Sequence, residues 1–300
     1  MTVTQSRYDR ETVVLGGVRT RCLRAPGRSP TVVLLHGFTD SADTWRPLLR
    51  ELADRGLRAA AVDLPHFGAA DRPISDTVLG GYDSFAAAAI DYFDSGDGVV
   101  LVGNSVGGLV ALRASQDPRP GIRAVVAIGP AGLHTPQWLR TLSRATPLLA
   151  LLSRAPVPSV TSFGPLLPAV WAALFSLAVA RGRLTPATKD HYASHIHTGD
   201  VKRVLALGLR TITELIDPAV VDPARFAVPV TLIWGRHDWI CPPTGAKTVL
   251  DIRRADVDVD VVIYPDAGHC TQLERPADIA VRITTLIADT AHGRTTALEG

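Results

Sequence analysis

The sequence predicts an α/β protein: a mostly parallel sheet with helices on both faces, its chain interrupted by a helical insertion. Three observations predict it. Short, nearly continuous apolar runs rich in β-branched residues recur from Thr31 to Pro130. Helical patterns lie between them, and strand alternating with helix is the signature of a parallel sheet buried on both faces. After Gly132 the strand signal stops, and it returns only beyond Asp217.

Taken in order, "TVVLGGVRTRCLRAP" reads as two short strands joined at Gly16-Gly17, a two-residue hairpin signal. Strands follow at 31–37, 58–65, 98–105 and 122–130, each too apolar to have a wet face. Between them, "DTWRPLLRELADRG" and "SFAAAAIDYFDSG" read as helices closed by glycine, and "SVGGLVALRASQDP" as a helix stopped by proline. From Gly132 to Asp217 only helical patterns appear, punctuated by proline and rich in Leu, Ala and Trp. "VPVTLIWG" (228–235) then resumes the core, and "DVDVVIYP" (258–265) alternates Asp with Val as an edge strand does. The chain divides into a first core segment, 1–132, an insertion, 133–217, and a second core segment, 218–300.

Composition narrows the partners. With 31 basic and 29 acidic residues the net charge is +2, and the absence of any basic run excludes a nucleic-acid footprint. Cys22, Cys241 and Cys270 are odd in number and widely spaced, which fits neither a disulfide framework nor a zinc site and suits a reducing cytoplasm. The first residues, "MTVTQSRYDRETVV", lack the apolar stretch and cleavage site of a secretory signal. In the insertion the uninterrupted apolar part runs only from Ala169 to Ala180, short of the roughly 20 residues a spanning helix needs. It has no basic flank, so no stable membrane anchor is expected.

The chemistry centres on Gly103-Asn104-Ser105-Val106-Gly107. G-x-S-x-G at a strand-to-helix junction gives a sharp turn that exposes a serine hydroxyl, with the amides of the following helix aimed at the same space. Such a hydroxyl needs a base, and the base needs an orienting group. Asp238, just past one strand, and His269, after the last strand, supply both in the order Ser, acid, His. Parallel strands place these ends on one edge of the sheet. Asp266 is so close to His269 in the chain that it reads as a turn residue. "LLHGFTDS" ends another strand, and the Phe38 amide beside that of Val106 can form an oxyanion hole.

With "HGF", "DLPHFGAADRP", "GNSVGG", "GRHD" and "DAGH" in sequence order, the chain resembles the α/β-hydrolase-fold enzymes, with the insertion where that family carries its cap. The resemblance implies Ser105 as nucleophile, His269 as base and then acid, Asp238 as its orienting carboxylate, and Phe38 and Val106 as oxyanion donors. Within the family it is similar to small bacterial lipases and monoacylglycerol-lipase-like esterases. "GNS-x-GG" also resembles the carbon–carbon bond hydrolases of aromatic degradation, although those usually have a Gly/Pro-rich oxyanion loop and a Trp where Cys270 stands. Haloalkane dehalogenases and epoxide hydrolases of the fold normally use an Asp nucleophile, against the Ser at 105. His66 replaces the Gly usual in the "DLPHFG" stretch, and either narrows the site or adds a polar contact.

Other residues carry weaker signals. Asn104 either stabilises the turn, as Asn side chains do locally, or touches substrate. His134, where the insertion leaves the sheet, and Trp171 within it are candidate substrate contacts. Trp138, Trp171, Phe163 and Phe175 are expected for the most part to form the insertion's own small core. His191 and His195 share a helical face with His197 nearby, but no Glu follows the first as in a zincin, so no metal is expected. Cys270 has no basic neighbour to make it a thiolate. The expectation is a serine esterase acting on a small hydrophobic substrate without cofactor. Its rivals are a carbon–carbon hydrolase, a lyase or cyclase that transfers protons, and a receptor-like binding protein.

Overall fold

A computed structural model describes residues 8–116, 121–141, 143–145 and 201–298. Two antiparallel strands open it, β1 (Asp9–Leu15) and β2 (Val18–Ala25), and Leu15 pairs with Val18 across Gly16-Gly17. Both glycines have positive φ, 57° and 82°, as the tight hairpin requires. The remaining strands are β3 (Arg28–Leu35), β4 (Leu57–Val62), β5 (Val99–Asn104), β6 (Ile122–Ile128), β7 (Val230–Gly235) and β8 (Val259–Tyr264). The sheet order is β1-β2-β4-β3-β5-β6-β7-β8, with every pairing from β4 through β8 parallel. The Asp/Val-alternating β8 is the edge strand its pattern indicates.

Alternation within the central strands builds two cores. Val33 and Leu35 of β3 and Leu101 of β5 face one, while Val32, Leu34, Val100 and Val102 face the other. The first face is covered by α2 (Val78–Phe93) and α3 (Val106–Ala114). The second is covered by α1 (Arg46–Asp54), which follows a 3₁₀ turn at Ala42–Trp45, and by a later C-terminal helix. Truncating a side chain such as Leu101 to Ala is expected to cost about 2–5 kcal/mol, since the surroundings relax only in part into the gap.

The helix α2 begins six residues earlier than the pattern from Ser84 suggests. Thr77 caps it by accepting from the Gly80 amide at 3.1 Å, and the glycine pair at 80–81 lies in its first turns. The later helices are α4 (Val201–Leu215), within the span expected for the insertion, then α5 (Gly245–Ile252), α6 (Thr271–Glu274) and α7 (Pro276–Leu298). The carboxylate of Glu214 on α4 accepts from the Val78 and Leu79 amides, each at 2.7 Å, so α4 is docked on the first turn of α2. Among the described residues, no helix is long and apolar enough to cross a membrane.

Candidate active site

Because β3 to β8 run parallel, the loops after their carboxyl ends gather on one edge. Three non-glycine residues among those described have positive φ: Thr39 (60°), His66 (78°) and Ser105 (56°). They follow the adjacent strands β3, β4 and β5. Each such backbone costs about 1–3 kcal/mol, and strain of this kind persists where packing over-determines it.

Ser105 joins β5 to α3 with φ 56° and ψ −116°. The turn closes so tightly that a Cβ at Gly103 would lie 2.1 Å from the Gly107 carbonyl oxygen, and one at Gly107 would lie 2.3 Å from that of Leu35. Only glycine fits either place. Val106 opens α3, so its N–H has no acceptor within the helix.

The loop after β3 presses against the elbow: a Cβ on Gly37 would come 3.3 Å from the Ser105 Cβ. Its shape is set by His36, which is 0% exposed. The His36 Nε2 accepts from the Leu64 amide at 2.8 Å, so the proton is on Nδ1, which donates to the Gly37 carbonyl at 2.7 Å. The Thr39 hydroxyl donates to the Phe38 carbonyl at 2.7 Å. Phe38, half-buried, packs edge-on against Phe67 with ring centroids 5.1 Å apart.

Asp238 lies past β7 and His269 past β8, 3% and 5% exposed. The His269 Nδ1 and the Asp238 Oδ2 are 2.7 Å apart. The other oxygen, Oδ1, accepts from the Ile240 and Cys241 amides at 3.0 and 2.8 Å, so the carboxylate is held in one orientation. The end of β6 lies flush beneath the pair, for a Cβ on Gly129 would sit 2.7 Å from Asp238 Oδ2 and 3.1 Å from His269 Nδ1. Ser105, Asp238 and His269 thus lie on one edge of the sheet, as do Phe38 and Val106.

Several further residues adjoin these three. Burial first and the Asp238 charge second push the Cys241 thiol well above its ordinary pKa. Burial, then Asp40, Asp238 and Glu274, does the same to Cys270. Both are neutral thiols, in line with the inert Cys270 expected. Asp266 pairs with Arg275, as a structural turn residue does. The positive φ of His66 explains why glycine suits that position, and its N–H donates to the Asp71 carbonyl at 3.1 Å. Asn104 does more than stabilise its own turn, since its amide reaches the carbonyls of Ile128 and His269.

His134 is exposed where the insertion leaves the core. Trp171 lies outside the described residues, as do Phe163, Phe175, His191, His195 and His197. Exposed Trp239, next to Asp238, is an aromatic at the rim of the edge that the periodicity gave no reason to single out.

The sheet order and the strained β5-to-α3 elbow are those of an α/β hydrolase. A family model described as the alpha/beta hydrolase fold matches residues 30–276, and the chain belongs to that family. It is 25% identical over 279 residues to a dihydrolipoyllysine-residue acetyltransferase component of the acetoin cleaving system from Cupriavidus necator, covering 87% of this chain but only 64% of that protein. It is 26% identical over 282 residues to epoxide hydrolase 3 of Xenopus tropicalis, covering 84% of this chain and 70% of the relative. Among solved structures, a serine hydrolase involved in carbazole degradation superposes with a TM-score of 0.69 at 23% identity, covering 94% of this chain and 99% of that one.

Proposed function

We propose that the protein is a serine hydrolase cleaving a carboxylic ester, lactone or thioester that carries a hydrophobic acyl or ring portion. The observation that carries this reading is the buried Asp238–His269 pair, 2.7 Å apart, on the same sheet edge as the strained Ser105. The Ser105 hydroxyl attacks the carbonyl carbon and its proton passes to His269. Asp238 holds the ring in the Nδ1–H tautomer and stabilises the imidazolium as it forms. The amides of Phe38 and Val106 take the oxyanion, and removing one such donor costs on the order of a hundredfold in rate. His269 then protonates the leaving group, and water activated by the same ring releases the acyl group.

Every step uses side chains and amides of this chain, with no metal or organic cofactor. The partner is a small hydrophobic molecule. Three free cysteines support a reducing, cytoplasmic setting.

The test is hydrolysis of p-nitrophenyl esters of rising acyl length by the wild type and by Ser105→Ala. Turnover by the wild type alone supports the reading, and the preferred length sizes the acyl site. If neither protein turns over any ester while both bind an apolar fluorescent ligand, the reading is lost to proton-transfer or receptor roles. Carbon–carbon cleavage is the second reading, favoured by the Gly107-Gly108 pair after "GNS". Turnover of a vinylogous diketone but of no ester would establish it.

A further inference from the structure

We infer that Asn104 is a positioning residue that holds His269 in register with Ser105 through the backbone of the histidine loop, an inference that rests on the hydrolase reading above. Asn104 ends β5 and is 2% exposed. Its Nδ2 donates to the Ile128 carbonyl and to the His269 carbonyl, each at 3.1 Å, so both amide hydrogens are used. Its Oδ1 lies 3.8 Å from the Cys270 sulfur, within reach of the S–H. On the other flank, a Cβ on Gly37 would come 3.3 Å from that same oxygen. One carboxamide therefore joins the ends of β5 and β6 to the loop after β8, with the oxyanion loop packed against it.

The side chain of His269 and its backbone are held by different groups. Asp238 fixes the ring's rotation at Nδ1, whereas Asn104 fixes where the ring's own residue sits. Neither restraint alone sets Nε2 against the serine hydroxyl. Asn104 is the chain neighbour of the nucleophile, and it grips the base's residue 165 positions away. A turn-stabilising asparagine would bond only nearby backbone. The Ile128 carbonyl also accepts from the Ser105 amide at 2.9 Å, so the His269 carbonyl is the one that depends on Asn104, and leaving it without that donor lets the loop relax toward one that can satisfy it.

The test compares Asn104→Ala, which removes both donors, with Asn104→Ser, which keeps one hydroxyl donor. In Asn104→Ala, kcat on a p-nitrophenyl ester falls by on the order of a hundredfold, the effect of misplacing reacting groups by about 1 Å. KM stays within about threefold, because substrate binding is not the function removed. Asn104→Ser recovers part of the loss. The downfield proton resonance of the His269 Nδ1–H moves or broadens in Asn104→Ala. If kcat and that resonance are unchanged while only the melting temperature drops, Asn104 is structural and the inference is wrong.

Should neither variant fold, the wild type still decides. Asn104 is the chain's sole asparagine, so selective ¹⁵N labelling gives one side-chain amide pair to follow. Protection of those protons by at least about tenfold over a free carboxamide is expected. Exchange at the free rate overturns the inference. If the wild type cleaves no ester, the hydrolase reading fails, while the exchange rate and the imidazole resonance still report on Asn104.

Discussion

Two buried aspartates lie at strand ends on the same edge of the sheet, and their surroundings differ in one respect. Asp63, just past β4 and 0% exposed, receives Arg21 through Nε and an Nη nitrogen at 2.9 Å each, with amides of Ala42 and Ala69 at 2.7 and 2.8 Å. Arg21 also pairs with Asp43 at 2.7 Å. Asp238 has one oxygen similarly filled by two amides, but the other faces His269. Arginine never gives up its proton in a protein, whereas imidazole does so near neutrality. A carboxylate paired with a permanent cation builds structure, while one paired with a group that changes charge can support proton transfer.

Breaking each pair should break a different property. Asp238→Asn is expected to lower kcat by about ten-thousandfold with the fold intact, because the ring loses the partner that selects its tautomer. Steady-state kinetics with circular dichroism checks both halves, and a loss below tenfold would show that Asp238 is not the orienting group. Arg21→Met leaves the Asp63 charge buried without its cation, and is expected to cost about 3–5 kcal/mol of stability. Denaturant unfolding measures it, and activity per folded molecule should survive.

Acid sharpens the contrast. Burial alone would raise the Asp63 carboxyl, but the Arg21 hydrogen bonds, the Arg21 charge and the Ala42 amide outweigh it and hold the group below its ordinary 3.8. A depressed native pKa stabilises the fold above the unfolded value and loses that contribution as pH falls through the native one. Wild-type stability should therefore decline from about pH 4 downward, a value set by ordinary unfolded carboxyls. Asp63→Asn should flatten that decline, and an unaltered slope in the variant would remove Asp63 from its causes.

The smallest expected effect concerns how α4 reaches the Phe38 loop. A Cβ on Gly208 would meet the far end of the Phe38 ring at 3.3 Å. An alanine there is absorbed by a small ring movement, whereas Gly208→Val should lower kcat by about tenfold through displacement of the Phe38 loop. Relief by Phe38→Leu in the double variant would tie the loss to that contact.

How much of this is legible in the sequence depends on how local the cause is. The strands, the hairpin and the serine elbow announce themselves through apolar runs and glycines a few residues apart. The order "HGF", "GNSVGG", "GRHD", "DAGH" also places the candidate residues on one edge once the sheet is known to be parallel. The start of α2 is not legible, because its first amides are satisfied by Glu214, 136 positions away for Val78. The Arg21–Asp63 pair spans 42 positions, and Arg21 looks like any outward residue of a hairpin. Asn104 reads as a turn former because its grip on His269 exists only after the sheet closes. Trp171 and the rest of the insertion beyond residue 145 up to residue 200 lie outside the described residues, so the acyl site is legible only as an apolar composition.

The central claim is that Ser105 is a nucleophile activated by His269 and held by Asp238. The most direct measurement is intact-protein and peptide mass spectrometry after exposure to a serine-directed phosphonate, on the wild type, Ser105→Ala and His269→Ala. The account predicts one phosphonyl group on Ser105 of the wild type, none on Ser105→Ala and much slower capture by His269→Ala. Capture at another residue, or equal rates with and without His269, would contradict it.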